Sequence, residues 1–387
     1  MKNILLAVNY DYHDYGGMLQ AFATQQALAK MNIASEVINF DALKKDINQR
    51  KWKYFLRNIS DLSIVKEKSR LLGKRLRSKL NGSLKNNQSK RDAAFDTFCH
   101  ASFNISRKFE NWDDLSRACS KYDAVLVGSD QLWLPSNVAG DYYTLNFVPD
   151  NVRKIAYATS FGIGTIPKDM KKQYASFLNR IDYLSAREFS GQEIVKQCTG
   201  RDVPLVCDPT LLLKSSDWEK VLSSKSVPKE KYIFCYFMGD NPNQRDFVKR
   251  LAQKEGLKIV GLLHLDQYIP SDEKYVDYAP FNVSPADFVG LVKNATYVCT
   301  DSFHGTVFSI IFSRDFFTFR RFRQKASLST NTRLESLLMK LNLEDRLFDG
   351  SEEFEKLHIT NYDEIQKRVE NFRETSKEYL IKSLTDQ

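Results

Sequence analysis

The order of elements in the first 40 or so residues constrains the fold more than any other feature. Lys2–Asn9 is aliphatic and predicts a strand, Asp11–Gly17 is a polar turn containing two glycines, Met18–Met31 has helical spacing, and Ala34–Phe40 predicts a second strand. Two parallel strands need a crossover connection, which is usually a helix. This order therefore predicts a βαβ unit and, with it, a Rossmann-like parallel sheet.

The same alternation continues along the chain, and polar residues follow the end of most strands. The further predicted strands are Tyr122–Gly128, Lys154–Ser160, Tyr183–Ala186, Val203–Cys207, Tyr232–Phe237, Lys258–Leu263, Tyr297–Cys299 and Phe316–Phe319. A chain of 387 residues exceeds one ordinary hydrophobic core, and the pattern restarts near Ser215. We therefore predict an α/β fold in which two Rossmann-like domains face a cleft.

The predicted domain boundaries follow from this restart. The N-terminal domain spans residues 1–180 and carries a basic helical insertion at residues 44–91. The C-terminal domain spans residues 181–345, and the tail at 346–387 contains a long helix, Tyr362–Leu384, that we expect to pack back on the first domain.

The segment Thr300–Gly305 is the strongest candidate for a functional site. A hydrophobic run that ends at Cys299 predicts a buried strand, and an apolar helix is predicted to start at Gly305. Ligands of open α/β sheets collect at the carboxyl ends of strands, where helix N-termini attract anions. His304 lies at this point and can transfer protons near neutral pH. The alternative is a core or capping histidine, with Asp301 as the N-cap of the helix.

Other strand ends contribute further candidates. The predicted constellation consists of Arg187, Asp208, Ser302, His304 and Arg320, with Asp130 and Gln131 across the cleft. A guanidinium group binds carboxylate or phosphate through bidentate hydrogen bonds, so a site with these arginines suits a small anion. Structural alternatives stay open at this stage: Arg187 as a salt bridge, Asp208 and Asp130 as caps, and Gly16–Gly17 as a plain tight turn.

Several common site motifs are absent from the sequence. It contains no P-loop, no H-E-x-x-H, no G-x-S-x-G and no acidic cluster suited to a catalytic metal, so we expect neither a metal nor a cofactor. The six cysteines form no C-x-x-C pair, which favours reduced thiols. The N-terminus lacks the pattern of a signal peptide, and no apolar run is long enough to span a bilayer. These features predict a cytoplasmic protein.

The net charge of +9 is concentrated in one segment. Lys44–Arg91 holds 16 Lys and Arg against 3 Asp and Glu, an excess of +13, so the rest of the chain carries about −4. This distribution argues against a surface made for nucleic acid. The segment also contains apolar residues, and a polar linker is predicted at Asn81–Ser89. It is either a solvated helical insertion or a peripheral contact with anionic lipid at the inner face of the plasma membrane.

Six motifs, in order, resemble those of the polysaccharide pyruvyl transferases. They are Tyr15–Phe22 (YGGMLQAF), Tyr122–Gln131 (YDAVLVGSDQ), Ile155–Gly162 (IAYATSFG), Ser185–Glu188 (SARE), Asp208–Leu212 (DPTLL) and Thr300–Thr306 (TDSFHGT). The resemblance covers roughly residues 1–340 and includes neither the basic segment nor the tail. It implies a fold like that of the GT-B glycosyltransferases, with acceptor binding in the first domain and donor binding in the second.

The resemblance also implies a reaction. The enolpyruvyl group of phosphoenolpyruvate, the donor substrate, is transferred to two hydroxyls of a sugar as a cyclic ketal during bacterial capsule or exopolysaccharide biosynthesis. The expected acceptor is a lipid-linked oligosaccharide. His304 is the expected general acid and Arg187 its catalytic partner. The expected phosphoenolpyruvate-binding residues are Arg187, Ser302, Phe303, His304, Gly305 and Arg320, and the expected acceptor-binding residues are Gly16, Gly17, Gln20, Asp130 and Gln131.

Two other functions remain open from the sequence. A GT-B-type glycosyltransferase with a nucleotide-sugar donor would use the same two-domain architecture, and fold does not determine function. A non-catalytic scaffold associated with glycans or membrane would not need His304.

Overall fold

The computed structural model describes residues 2–58, 82–272, 274–321, 331–352, 358–359 and 361–386. The chain forms two compact units. The described residues within Met1–Ser60, Ser102–Leu213 and Val369–Gln387 belong to the first unit, and those within Asp61–Ala101 and Lys214–Arg368 belong to the second.

The first unit is built on a parallel five-stranded sheet. Its strands are β1 (Asn3–Ala7), β2 (Ala34–Asn39), β3 (Ile105–Lys108), β4 (Ala124–Val127) and β5 (Arg153–Ala156). Their spatial order is β3-β2-β1-β4-β5, the order of a Rossmann half. The central strands β1 and β4 are almost wholly aliphatic and buried, as expected of a parallel sheet covered by helices on both faces.

Helices connect these strands and continue beyond them. They are α1 (Tyr15–Lys30), α2 (Lys44–Arg57), α3 (Gly82–Ser102), α4 (Trp112–Cys119), α5 (Pro135–Gly140), α6 (Lys171–Arg180), α7 (Phe189–Thr199) and α8 (Pro209–Leu212). Most of α3 belongs to the second unit, while the others lie in the first.

The second unit has its own parallel five-stranded sheet. Its strands are β6 (Tyr232–Tyr236), β7 (Lys258–Gly261), β8 (Tyr297–Thr300), β9 (Asp315–Phe319) and β10 (Leu347–Phe348), in the spatial order β10-β9-β8-β6-β7. The helices are α9 (Ser215–Trp218), α10 (Pro242–Glu255), α11 (Pro285–Asn294), α12 (Phe303–Ile311), α13 (Thr332–Leu341) and the terminal α14 (Tyr362–Thr385). Aromatic side chains fill one face of this sheet, where Phe247 packs against Phe317 and Phe319.

The strand order reverses once in each sheet. In the first sheet the reversal lies between β1 and β4, and in the second it lies between β6 and β8. Open α/β sheets bind ligands at the carboxyl ends of the strands at such a point. The predicted α/β class with two Rossmann-like domains is confirmed, and these two reversals locate the candidate sites.

The compact units divide the chain differently from the predicted boundary at residue 180. The segments 183–186 and 203–207, predicted as strands, are extended pieces joined by single bridges: Ile155 to Tyr183, Thr159 to Ala186, and Ala186 to Leu205. Because these bridges continue from β5, residues up to Leu213 stay with the first unit. In the predicted tail, residues before Val369 group with the second unit.

The predicted insertion at residues 44–91 is only partly described. Its first part is helix α2, in the first unit, while residues 59–81 lie outside the described residues. The predicted linker Asn81–Ser89 is wrong for Gly82–Ser89, which form the start of α3. Its polar residues are compatible with an exposed helix, which composition alone does not distinguish from a loop.

No helix in the described part of the chain is both long enough and apolar enough to cross a membrane.

Candidate active site

His304 lies in the first turn of α12, directly after β8, and is 95% buried (5% exposed). The ring of Phe303 meets its imidazole edge-on, with centroids 5.2 Å apart. The helix begins at Phe303, two residues before the predicted start at Gly305. Its N-cap is Ser302, whose hydroxyl accepts a hydrogen bond from the Gly305 N–H at 3.3 Å. The geometry thus places a histidine at a helix N-terminus, as the sequence predicts.

Asp301 is not the N-cap but joins the two strands at the reversal. Its carboxylate accepts hydrogen bonds from the backbone N–H groups of Met238 at 2.7 Å and Gly239 at 2.8 Å, in the loop after β6. A Cβ on Gly239 would lie 2.9 Å from Oδ2 of Asp301, so this close approach favours glycine. Asp301 therefore holds the β6 loop beside the segment that carries His304.

A buried ion-pair network also holds the loop after β6 in place. Arg245 donates from Nη2 to the Gly239 carbonyl at 2.8 Å and to Oδ1 of Asp272 at 2.7 Å. Nδ1 of His264 lies 2.6 Å from Oδ2 of Asp272. Burial alone would raise the pKa of Asp272, but the hydrogen bond from His264 and the positive charge of Arg245 lower that pKa below its ordinary value. Asp272 is thus a carboxylate near neutral pH and an anchor for the loop.

Of the two neighbouring arginines after β9, Arg320 was predicted and Arg321 was missed. Nε of Arg320 is 3.3 Å from Oε1 of Glu335, so its guanidinium is paired on α13. Nη2 of Arg321 donates to the Asp301 carbonyl at 3.1 Å. Adjacent residues leaving a strand point to opposite sides, and two consecutive arginines give no sequence signal to choose between them.

Arg187 is at the centre of a buried cluster in the first unit. Its Nη1 donates to Oδ2 of Asp208 at 2.6 Å and to Oγ of Ser129 at 3.2 Å, and Nη2 is 3.6 Å from Oδ1 of Asp130. Burial disfavours the charged guanidinium, but the carboxylates of Asp208, Asp130 and Glu188 raise the pKa of Arg187 above its ordinary value. The guanidinium is therefore charged and already neutralised by its neighbours.

This cluster corrects one part of the predicted constellation. Arg187 was placed in the donor domain, with Asp130 across the cleft, whereas both residues belong to the first unit and form an ion pair there. Ser129, which the prediction did not include, joins Arg187 to Asp208, because its hydroxyl accepts from Nη1 of Arg187 at 3.2 Å and donates to Oδ2 of Asp208 at 2.9 Å. Glu188 also belongs to the cluster, because its Oε2 is 3.9 Å from Nε of Arg187, while its Oε1 accepts from the Ser160 hydroxyl and the Phe161 N–H.

The glycines predicted for acceptor binding lie in a helix and not in a turn. Gly16 and Gly17 are in the first turn of α1, where Asp14 caps the helix by accepting from the Gly17 N–H at 2.7 Å. A Cβ on Gly17 would lie 2.7 Å from Nδ2 of Asn9, so a larger residue here would require the Asn9 side chain to move. The turn prediction fails because glycine is a weak helix former in general, while a cap and close packing decide here.

The remaining predicted residues lie at the reversal of the first sheet. Gln20 is fully buried, and its Nε2 donates to the Gly17 carbonyl at 2.9 Å. Its Oε1 approaches the residue after β4, since a Cβ on Gly128 would lie 3.6 Å from it. Asp130 follows with φ = 75°, a left-handed conformation that costs a non-glycine residue energy and often occurs at functional sites. Gln131 packs over Gly162.

Comparisons with known proteins identify the family. The family model "Polysaccharide pyruvyl transferase" matches residues 14–321, a span that contains every predicted site residue. No curated protein sequence matches the chain.

Among solved structures, similar ones include UDP-GlcNAc 2-epimerases and a heptosyltransferase. The enzyme from Neisseria meningitidis has a TM-score of 0.46 at 11% identity, over 100% of this chain and 95% of that one. The epimerase from Methanocaldococcus jannaschii has a TM-score of 0.45 at 13% identity, over 96% and 92%. E. coli ADP-heptose LPS heptosyltransferase II has a TM-score of 0.38 at 8% identity, over 97% and 100%.

The family match extends over most of the chain, and it includes both the histidine at the start of α12 and the residues at the reversal of the first sheet. The chain belongs to the polysaccharide pyruvyl transferase family.

Proposed function

We propose that the protein transfers the enolpyruvyl group of phosphoenolpyruvate to two hydroxyls of a sugar as a cyclic ketal. The observation that carries the proposal is the position of His304, at the N-terminus of α12 and at the strand-order reversal of the second sheet, within the matched family span. A proton donor beside an anion-attracting helix end suits a substrate that carries a carboxylate and a phosphate.

The proposed reaction accounts for each proton. His304 donates one to the methylene carbon of phosphoenolpyruvate, which becomes a methyl group and leaves an oxocarbenium-like centre at C2. One sugar hydroxyl attacks C2, the C2–O bond to phosphate then breaks, and the second hydroxyl attacks C2 to close the ring. Of the two protons released by the hydroxyls, one restores His304 and the other leaves with phosphate. A positioned general acid typically contributes about 10²–10⁴-fold in rate.

The anionic donor would bind at the amino end of α12, formed by Ser302, Phe303, His304 and Gly305. Of the two predicted arginines, Arg320 is the better placed to bind this donor. Its side chain is partly exposed, it lies in the same unit as His304, and its guanidinium pairs with one carboxylate, that of Glu335, at 3.3 Å. Arg187 is enclosed by three carboxylates. We therefore assign Arg187 a positioning role, in which it orients Asp130 and Ser129.

The acceptor sugar would bind at the reversal of the first sheet. Gly16, Gly17 and Gln20 at the start of α1, with Asp130 and Gln131 after β4, lie at the strand ends that form this point. Amide and carboxylate side chains suit sugar hydroxyls, which both donate and accept hydrogen bonds. A lipid-linked oligosaccharide is the proposed acceptor class.

The test is phosphate release from phosphoenolpyruvate with a panel of lipid-linked galactose-, glucose- and mannose-type acceptors. We expect acceptor-dependent release by the unaltered protein and about a 10²–10⁴-fold lower rate for His304→Gln. The control is His358→Gln, because His358 is exposed, pairs with Asp315 at 2.8 Å and should not affect the rate. Release of nucleotide from a nucleotide sugar, with no phosphate from phosphoenolpyruvate, would favour a glycosyltransferase. An unchanged rate in His304→Gln would remove its proposed role.

A further inference from the structure

Helix α2, the described start of the basic segment, is fixed to the first unit along one face. Ile47 is buried on that face. Lys51 donates from Nζ to Oδ1 of Asn137 at 2.8 Å, and Arg50 pairs with Asp141 at 3.1 Å. Nε1 of Trp112 donates to the carboxylate of Asp46 at 2.7 Å. These contacts hold the helix in one rotational setting, so its opposite face has a defined composition.

That opposite face exposes two large apolar side chains. Trp52 is 59% exposed and Leu56 is 47% exposed, and the two are one helical turn apart. Such residues are usually buried in a soluble protein, and an exposed tryptophan costs free energy in water. In helical projection Lys45 lies between these two side chains, and the exposed residues Lys53 and Arg57 lie on the flank nearer Leu56. We call the surface formed by these five residues the α2 face.

The positive charge of the α2 face is offset only in part, because the carboxylate of Asp46 interacts with Lys53 but pairs directly with Arg50. The acidic side chains near the helix have other partners: Asp46 pairs with Arg50 at 2.9 Å, and Asp41 pairs with Lys44 at 2.6 Å. Within the described part of the chain, no carboxylate lies within ion-pair distance of Lys45, Lys53 or Arg57. The face therefore combines three cations with two apolar side chains.

We propose that the α2 face docks the protein on the surface of an anionic lipid bilayer. Tryptophan is favoured at the boundary between headgroups and acyl chains, where its ring is buried while its N–H stays near water. Lysine and arginine beside it gain energy from negatively charged headgroups. A nucleic acid would use the cations but offers no apolar layer for Leu56. This combination of residues is typical of helices that lie in the membrane interface.

The proposal concerns a part of the chain that the proposed reaction does not use. The predicted site residues lie outside α2, which occupies Lys44–Arg57. Loss of lipid binding and loss of pyruvyl transfer are therefore separable, and each can fail without the other.

The experiment is vesicle flotation of the full-length protein, with vesicles of phosphatidylcholine alone and vesicles that also contain phosphatidylglycerol. We expect binding to the anionic vesicles and a decrease in binding with added salt. The double variant Lys45→Gln/Lys53→Gln should bind about 25-fold more weakly, since each cation near an anionic surface contributes about 5-fold. Trp52→Ala should weaken binding about ten-fold or more.

Matched controls come from the second unit. Lys249→Gln/Lys254→Gln removes two exposed lysines from α10, and Met339→Ala removes a side chain that is 52% exposed. Both should bind anionic vesicles as the unaltered protein does. Equal binding to the two vesicle types, or α2-face variants that match their controls, would overturn the proposal. Binding to RNA and heparin without flotation would also overturn it, in favour of a polyanion site.

Discussion

Both carboxylate oxygens of Asp208 accept hydrogen bonds, so we expect it to be the residue of the Arg187 cluster that is hardest to replace. Oδ2 accepts from Arg187 at 2.6 Å, while Oδ1 accepts from the backbone N–H of Thr210 at 3.0 Å and from its hydroxyl at 2.7 Å. The residue is 1% exposed. It both neutralises the guanidinium and caps the short helix α8, so the capping alternative for Asp208 and the salt-bridge alternative for Arg187 describe the same cluster.

We expect Asp208→Asn to destabilise the protein by about 3–5 kcal/mol, because loss of one partner leaves a buried charge uncompensated. The control is Asp150→Asn, since Asp150 pairs with Arg180 at 2.9 Å but its side chain is 92% exposed. That change should leave stability close to that of the unaltered protein, because an exposed ion pair contributes little. Urea unfolding of both variants measures the difference. Equal effects would mean that the buried pair contributes no more than a surface one.

For individual residues, the sequence predicts where a residue lies in the fold better than it predicts which residues it contacts. The site of His304 can be predicted because an apolar strand, a short polar segment and a helix define it locally. The carboxylates around Arg187 and the bond from Asp301 to the β6 loop cannot be predicted in this way, because the partners are separated by 21 residues for Asp208 and 63 for Met238. Local periodicity carries no information about such pairs, which depend on how the strands are ordered.

Helix α12 combines a structural cap with a proposed ligand site. Ser302 satisfies the Gly305 N–H, and its own N–H donates to Oγ1 of Thr300 at 3.0 Å. Helix α11 has a comparable start, where the hydroxyl of Ser284 accepts from the N–H of Asp287 at 3.2 Å. The two caps allow a structural effect to be separated from an effect on substrate.

We expect Ser302→Ala and Ser284→Ala to lower stability by similar amounts, about 0.5–2 kcal/mol, which is the usual contribution of an N-cap. If Ser302 also binds phosphoenolpyruvate, only Ser302→Ala should raise the KM for this substrate. Thermal unfolding measures the capping effect in both variants, and steady-state phosphate release measures the effect on substrate binding. A KM that stays the same in Ser302→Ala would restrict this residue to capping.

Among whole elements, long periodic helices and central strands can be predicted, and short or polar ones cannot. The strand β3 was missed because Ile105–Lys108 contains a single apolar residue, followed by a buried serine and two exposed charged residues. The two-residue β10 is too short to give any pattern. Residues 183–186 and 203–207 have strand-like composition but make single bridges, since burial of apolar side chains does not require a full ladder.

At the scale of the whole molecule, the terminal helix α14 is shared by the two compact units. Its residues up to Arg368 group with the second unit, and those from Val369 onward group with the first. In the first unit, Nε of Arg373 donates to the Leu211 carbonyl at 2.6 Å, and the Cys207 N–H donates to Oγ of Ser376 at 2.8 Å. The helix thus satisfies one backbone group at the end of the extended segment 203–207 and one in the short helix α8.

This arrangement predicts that the end of the chain stabilises the first unit through its buried side chains. Leu380 is 1% exposed, whereas the next residue, Ile381, is 45% exposed. We expect Leu380→Ala to cost about 2–5 kcal/mol, because it removes buried methyl groups and leaves a cavity. Ile381→Ala, a deletion of the same size on the exposed side of the same helix, should cost less than about 0.5 kcal/mol. Urea unfolding with tryptophan fluorescence measures both. Similar losses in the two variants would mean that the helix contributes through its propensity alone, and no loss in either would mean that residues 369–386 are dispensable for the first unit.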